Sequence, residues 1–327
     1  MARRGEFALI ETLFAPLAGG DPRALGLRDD AAVLATRGMG DLVVSVDALV
    51  SGVHFLPTDP PDSIAAKVLG VNLSDMAAMG AKPVGAFLSI ALAPSQDDAW
   101  LTAFADGLRG VLEAFGLPLL GGDTVSTPGP ATFSVTILGT VAPGLALRRS
   151  GARVGDDLWV SGTLGDGALG LRVARGEAFG LPEAHRAHLV DRYRRPRARV
   201  DLGLALVGRA SACMDISDGL AGDAGHMARA SGVALEIRAP DLPLSDAAAD
   251  LIADDPGLFD LVLGGGDDYE LLFTAPPEVR DDLLALGKSA GPGVTRIGRV
   301  TKGEGVHILD GDGQPLALAR AGWSHDG

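Results

Sequence analysis

Five short aspartate-bearing segments punctuate this chain: Arg28-Asp29-Asp30, Ser45-Val46-Asp47, Gly121-Gly122-Asp123-Thr124, Asp215-Ile216-Ser217-Asp218-Gly219 and Gly264-Gly265-Gly266-Asp267-Asp268. Each closes a glycine-rich or apolar stretch and is expected to form a turn. Asp75 adds a sixth acid inside a helical pattern. A carboxylate placed where an apolar strand runs out is costly unless a cation meets it. So many in one chain imply a shared cluster of divalent metal ions, and such clusters handle phosphates.

The spacing sharpens this reading. In Leu42-Val43-Val44-Ser45-Val46-Asp47 a period of two turns Ser45 and Asp47 to one side, a hydroxyl beside a carboxylate, which suits a hard cation such as Mg²⁺. The alternative is that Asp47 caps the turn toward Gly52-Val53-His54. Asp75 shares a mostly apolar helix face with Asn72, which could hydrogen-bond it. Gly121 and Gly122 would let backbone amides approach a phosphate while Asp123 holds the bridging metal, although a plain turn has the same composition. Ser217 or Asp218 could cap the helix that follows, but this leaves Asp215 unexplained. Asp215 reads as a ligand from a second domain.

These groups must be positioned by an α/β framework. Helices are expected over 7–18, 64–79 and 100–115, with strands over 31–35, 42–49, 84–92 and 132–141. That β-β-α-β-α-β order describes one α/β domain, over 1–145. Residues 142–157, rich in Gly, Pro and charge, form a linker. A second α/β domain, over 146–327, has strands at 158–161, 234–238, 271–274 and 296–300, and helices from about 168 and over 220–230.

Other chemistries fit less well. Gly165-Asp166-Gly167-Ala168-Leu169-Gly170 matches the dinucleotide fingerprint, but the polar, Arg-rich stretch behind it lacks the second strand and its terminal acid. No G-x-x-x-x-G-K-[ST] occurs, so a bound triphosphate needs metals and arginines, with Arg148, Arg149 and Arg153 as candidates. His185 and His188 share a helix face without a third zinc ligand. Cys213 is the single cysteine, which precludes an intramolecular disulfide, fits a reducing cytoplasm and reads as a buried thiol. A formal net charge of -14 argues against a general nucleic-acid binder. Apolar runs are too short for a membrane helix, so a soluble protein is expected.

Taken in order, these segments resemble the thiamine-monophosphate kinases, of the superfamily that holds aminoimidazole ribonucleotide synthetase and selenophosphate synthetase. The resemblance rests on Gly5-Glu6-Phe7, Asp29-Asp30, Ser45-Val46-Asp47, Gly52-Val53-His54-Phe55, Val71 to Ala81, Gly121 to Thr124, Arg149-Ser150-Gly151, Asp215 to Leu220 and Gly265 to Leu271. It implies transfer of the γ-phosphoryl of ATP to thiamine monophosphate. It also implies a two-domain fold whose N-terminal sheet pairs with that of a second copy into a barrel, hence a homodimer. Several Mg²⁺ ions would be held by Asp30, Ser45, the Val46 backbone, Asp47, Asp75, Asp123, Asp215 and Asp218. Nucleotide contacts map to Gly122, Asp123, Arg149 and Ser217, and acceptor contacts to His54, Asp267 and Trp323. No catalytic general base is implied. Val46 stands where Thr is common, and Asp267 where Glu is, one methylene shorter. The rival readings are another ATP-dependent synthetase of the superfamily, a Mg²⁺-dependent phosphatase, or a nucleotide-binding regulator without turnover.

Overall fold

A computed structural model describes Leu25 and residues 28–316, apart from 31, 37, 39, 290 and 292. The helix expected over 7–18, Gly5-Glu6-Phe7 and Trp323 lie outside the described residues. The first sheet takes β1 (Ala32–Thr36), β2 (Gly40–Val50), β3 (Lys82–Leu92), β4 (Leu119–Ser126) and β5 (Thr132–Val141), in the order β1-β2-β5-β3-β4. Only the β3–β4 pair is parallel. In β5 strict alternation buries Phe133, Val135 and Ile137, the half-buried pattern expected of a sheet with one covered face.

Two helices cover that face. α1 (Pro61–Ala78) starts with a proline in its first turn, where no backbone donor is lost, and stops at Gly80, which adopts a left-handed φ of 62°. α2 (Asp98–Ala114) is capped by Asp97, whose carboxylate accepts from Trp100 N. Trp100 and Phe104 of α2 then stack on Phe133. Among the described residues no helix covers the opposite face of the sheet, here termed the bare face. Register aligns Val46, Thr136 and Phe87 in one row there, and Val46 is 61% exposed.

The second sheet collects β6 (Asp157–Ser161), β7 (Ala212–Asp215), β8 (Ala234–Arg238), β9 (Leu271–Ala275), β10 (Val294–Thr301) and β11 (Gly305–Leu309), ordered β11-β8-β10-β6-β9-β7. It too is mixed, with β8–β11 parallel. Every residue of β6, β7 and β9 is buried, because helices lie over both faces. Those helices are α3 (Asp166–Ala174), α4 (Glu183–Arg194), α5 (Val200–Leu206), α6 (Leu220–Ser231), α7 (Asp246–Asp254), α8 (Phe259–Gly264) and α9 (Arg280–Ser289). Among the described residues no helix is long and apolar enough to cross a membrane.

One continuous core joins the sheets: Ala77 and Met79 pack in it with Leu202, Leu206, Trp159, Cys213 and Phe273. Gly203 of α5 marks a tight crossing, since a Cβ there would stand 2.1 Å from the Ala77 carbonyl oxygen. Gly203→Ala should therefore cost about 1–3 kcal/mol through overpacking against backbone. Thermal unfolding will show this, and a midpoint equal to wild type would refute the tight approach.

Two corrections concern the acidic segments. Gly121 to Thr124 is no turn but the middle of β4, an edge strand missing from the expected element order. Ser45-Val46-Asp47 lies inside β2 rather than at its end.

Candidate active site

Alternation in β2 buries Ser45, leaves Asp47 half-buried beside it, and turns the Val46 side chain to the opposite face. The Ser45 hydroxyl donates to Asp75 on α1. Asn72, one turn before Asp75, fastens helix to strand. Its Oδ1 accepts from Asp47 N at 3.1 Å and Ser45 Oγ at 3.4 Å, and its Nδ2 donates to Val68 O. Thus Asn72 serves β2, whereas the helical spacing had suggested Asp75 as its partner.

Asp215, the last residue of β7, comes in from the second sheet, and Asp30 from the segment ahead of β1. Asp30, Asp75 and Asp215 each offer an oxygen within 4.8 Å of the others. Burial, then the charges of Asp47, Asp215 and Asp30, push the Asp75 carboxyl well above its usual range. Burial and the neighbouring Asp30 push Asp215 up to about 7. Arg149 answers this charge, donating through Nε and Nη2 to Asp30 Oδ1, while Asp30 Oδ2 stays buried without a partner among the described residues. One guanidinium cannot balance four carboxylates. The donor set is all oxygen, and an orphaned carboxylate oxygen within it fits a hard divalent cation such as Mg²⁺.

The chain around Arg149 is pinned: its amide donates to Asp29 and its carbonyl accepts from Ser231. Arg148 and Arg153 are exposed, whereas Arg149 is half-buried and its guanidinium meets the cluster at Asp30. Ser217 and Asp218, both half-buried, follow β7 after Ile216, and their amides donate to Asp223 in the first turn of α6. That corrects the capping alternative: the N-cap of α6 is Gly219, with no side-chain cap, and Asp223 satisfies the amides from inside the helix. Asp223 was missed. Its signal was an acid in a first turn just after the Asp215–Gly219 segment.

Asp123 is not brought to this cluster within one chain. The register sets it opposite Ser89, in line with Ser134 and Ala48, on the bare face. Its own Oδ1 accepts from Thr124 N, and both it and Gly122 are exposed. Gly122 must be glycine, because a Cβ would overlap the Leu88 carbonyl at 1.8 Å.

On the acceptor side, His54 follows β2 and its Nδ1 accepts from Val50 N at 3.0 Å. Asp267 holds a left-handed φ of 72°, a strained conformation for aspartate. Lys67 of α1, 1% exposed, meets its carboxylate at 2.9 Å and lies 4.0 Å over the Tyr193 ring. Lys67 was also missed. A lone lysine amid Ile64, Ala65, Val68 and Leu69 was its only signal. Asp268 explains why the glycine fingerprint is no nucleotide loop: its carboxylate takes the Gly165 and Gly167 amides that a pyrophosphate would need. His185 and His188 separate, facing Asp250 and Asp166.

Comparison with known proteins agrees with this architecture. The chain matches the family models described as AIR synthase related protein, N-terminal domain, over residues 28–141, and C-terminal domain, over 153–310. It is 42% identical to the thiamine-monophosphate kinase of Caulobacter vibrioides, over 98% of this chain and 90% of that protein. It is 41% identical to that of Escherichia coli K12, over 98% of each. Among solved structures it resembles AaThiL complexed with AMPPCP and TMP, with a TM-score of 0.86, 33% identity and 99% of both chains covered. Hydrogenase maturation protein HypE in complex with ATP, at 21% identity and a TM-score of 0.71, shares the fold.

Proposed function

The chain belongs to the thiamine-monophosphate kinases, which phosphorylate thiamine monophosphate at the expense of ATP, and from that premise we propose how its residues carry out the reaction. The transfer is direct and in line, without a phosphoenzyme. The observation that carries this reading is the meeting of Asp30, Asp75 and Asp215, from the segment before β1, from α1 and from β7, within 4.8 Å of one another beside an unpartnered carboxylate oxygen. Asp30, Ser45, the Val46 carbonyl, Asp47, Asp75, Asp215 and Asp218 would hold Mg²⁺ ions, and Asp123 would join them from a second copy of the chain. When bound, those ions neutralise the phosphate charges of donor and acceptor and align them.

Arg149 orients the nucleotide beside Asp30, with Ser217 and Gly122 as further contacts. His54, Asp267 and Trp323 hold the thiamine part, and Lys67 keeps Asp267 in place. No side chain needs to act as general base, since a phosphate monoester has a second pKa of about 6 and is already ionised at neutral pH. Incubation with ATP and Mg²⁺ should release ADP only when thiamine monophosphate is present. Isotope-chiral ATP should show inversion at phosphorus. Phosphate release to water would favour a phosphatase, and retention would reject the direct transfer.

The N-terminal 1–145 region is the nucleotide-binding and dimerising domain, followed by 146–327, and the enzyme works in the cytoplasm as a homodimer. The bare face carrying Val46, Phe87 and Asp123 is the surface for the second copy, with Asp123 and Gly122 contributing to a cluster in the assembled pair. Mixing Asp123→Ala chains with Asp75→Asn chains should then restore activity that neither has alone. Sedimentation should confirm dimers in the mixture. Dimers without restored turnover would remove Asp123 from the partner's site.

A further inference from the structure

Away from the acidic cluster lies a cavity of about 360 Å³, bordered by Thr163, His188, Arg192, Arg197 and Arg199. In a chain with a formal net charge of -14, three arginines and a histidine gathered in one cavity need a reason. Arg192 is 3% exposed. Its Nη2 donates to Asp268 O at 3.0 Å and Glu270 Oε1 at 2.9 Å, but its Nη1 is buried with no acceptor among the described residues. A buried guanidinium N–H without an acceptor is costly, so the position invites an oxygen. Arg199 grips the same Glu270 carboxylate. Asp166 also lies 3.8 Å from Arg192 Nε, so the two buried guanidiniums are matched by two carboxylates and it is the idle Nη1 donor that stands out. Arg197, more than half exposed, adds a further guanidinium at the edge, where it also meets Asp191.

We propose that this cavity binds a phosphate group, free or as the head of a small phosphomonoester, with Arg192 Nη1 as its buried donor. Arginine suits this role because its planar fork matches phosphate oxygens. Thiamine itself is the wrong occupant, as its thiazolium cation would face arginines. The donor triphosphate belongs with the metals at Asp215. That residue ends β7, and Ser161 ends β6, with β9 between them. Two strand spacings separate them, roughly 10 Å. The site thus stands apart from the catalytic one and does not depend on the kinase reading. An occupant would still touch the acceptor loop, because Arg192 also holds the Asp268 carbonyl.

The test uses the full-length protein with divalent ions chelated, so that the acidic cluster repels anions. Inorganic phosphate and glycerol phosphate are titrated separately by calorimetry, with chloride at matched ionic strength as control. Saturable binding is expected, weakened roughly tenfold by Arg192→Gln and about threefold by Arg197→Gln. Asp75→Asn should leave it unchanged. Arg197→Gln serves if Arg192→Gln fails to fold. Either anion binding in this pattern supports the proposal, and the tighter of the two names the source. Responses equal to chloride would overturn it, leaving the Arg192 donor to water. So would binding indifferent to Arg197→Gln, or binding that changes with Asp75→Asn.

Discussion

Asp75→Asn should lower kcat on the order of 10²–10³-fold while leaving the fold intact and raising the melting temperature of the metal-free protein. Asp75 sits among the other acids, accepting the Ser45 hydroxyl and pressed by Asp47, Asp215 and Asp30. Its amide analogue is nearly isosteric but uncharged, so it removes both a metal ligand and a source of repulsion. Without metal the second effect stands alone. Asp215 carries the same logic into pH dependence. Its folded-state pKa of about 7 lies above the ordinary 3.8, so the folded state binds the extra proton between those values. Stability of the metal-free protein is therefore greatest below the lower value and lost as pH rises toward 7. Asp75→Asn should flatten that slope, and saturating Mg²⁺ should reverse it in the wild type. Calorimetric melting across pH 4–8 with and without Mg²⁺ checks all three, and a metal-free Asp75→Asn protein less stable than wild type would count against the repulsive cluster.

Much of this site was legible because it follows chain periodicity. Alternation alone placed Ser45 and Asp47 together, and helical spacing put Asp75 on an apolar face where solvent could not explain it. Strand 132–141 was read to the residue, since a sheet with one covered face writes its burial into the sequence. β4 was illegible for the converse reason. Lying at an edge with every residue exposed, it needs no alternation, and Gly121-Gly122-Asp123 reads as a turn. Pairings across the chain were out of reach too. Lys67 and Asp267 stand 200 residues apart, and only the shared core of the two sheets brings α1 under the loop before β9. Likewise Arg148, Arg149 and Arg153 are equivalent by composition, and the position of Asp30 selects among them.

That loop depends on a buried charge, and Glu270→Ala should cost about 3–5 kcal/mol, a fall in melting temperature on the order of 10 °C. Glu270 is fully buried. Its carboxylate accepts from Ser161 Oγ at 2.6 Å, Arg192 Nη2 at 2.9 Å and Arg199 Nε at 2.7 Å, and it packs where a side chain on Gly162 would collide with it. Truncation leaves two guanidiniums with only Asp166, 3.8 Å from Arg192 Nε, as an anion, and that uncompensated charge accounts for the loss more than any missing contact does. A variant with Glu270, Arg192 and Arg199 all replaced by Met should therefore recover most of the deficit, because exchanging a whole ionic triad for apolar side chains is near neutral. Consequences reach the catalytic end, since Ile216 N donates to Glu270 O and Asp267 N to Ser217 O. Loosening Glu270 frees the segments that carry Asp215 and Asp267 together, so the single mutant should lose affinity for the acceptor and for Mg²⁺ alike. Urea unfolding of the single and triple variants decides the matter: equal losses in both would mean that Glu270 acts by packing rather than by charge.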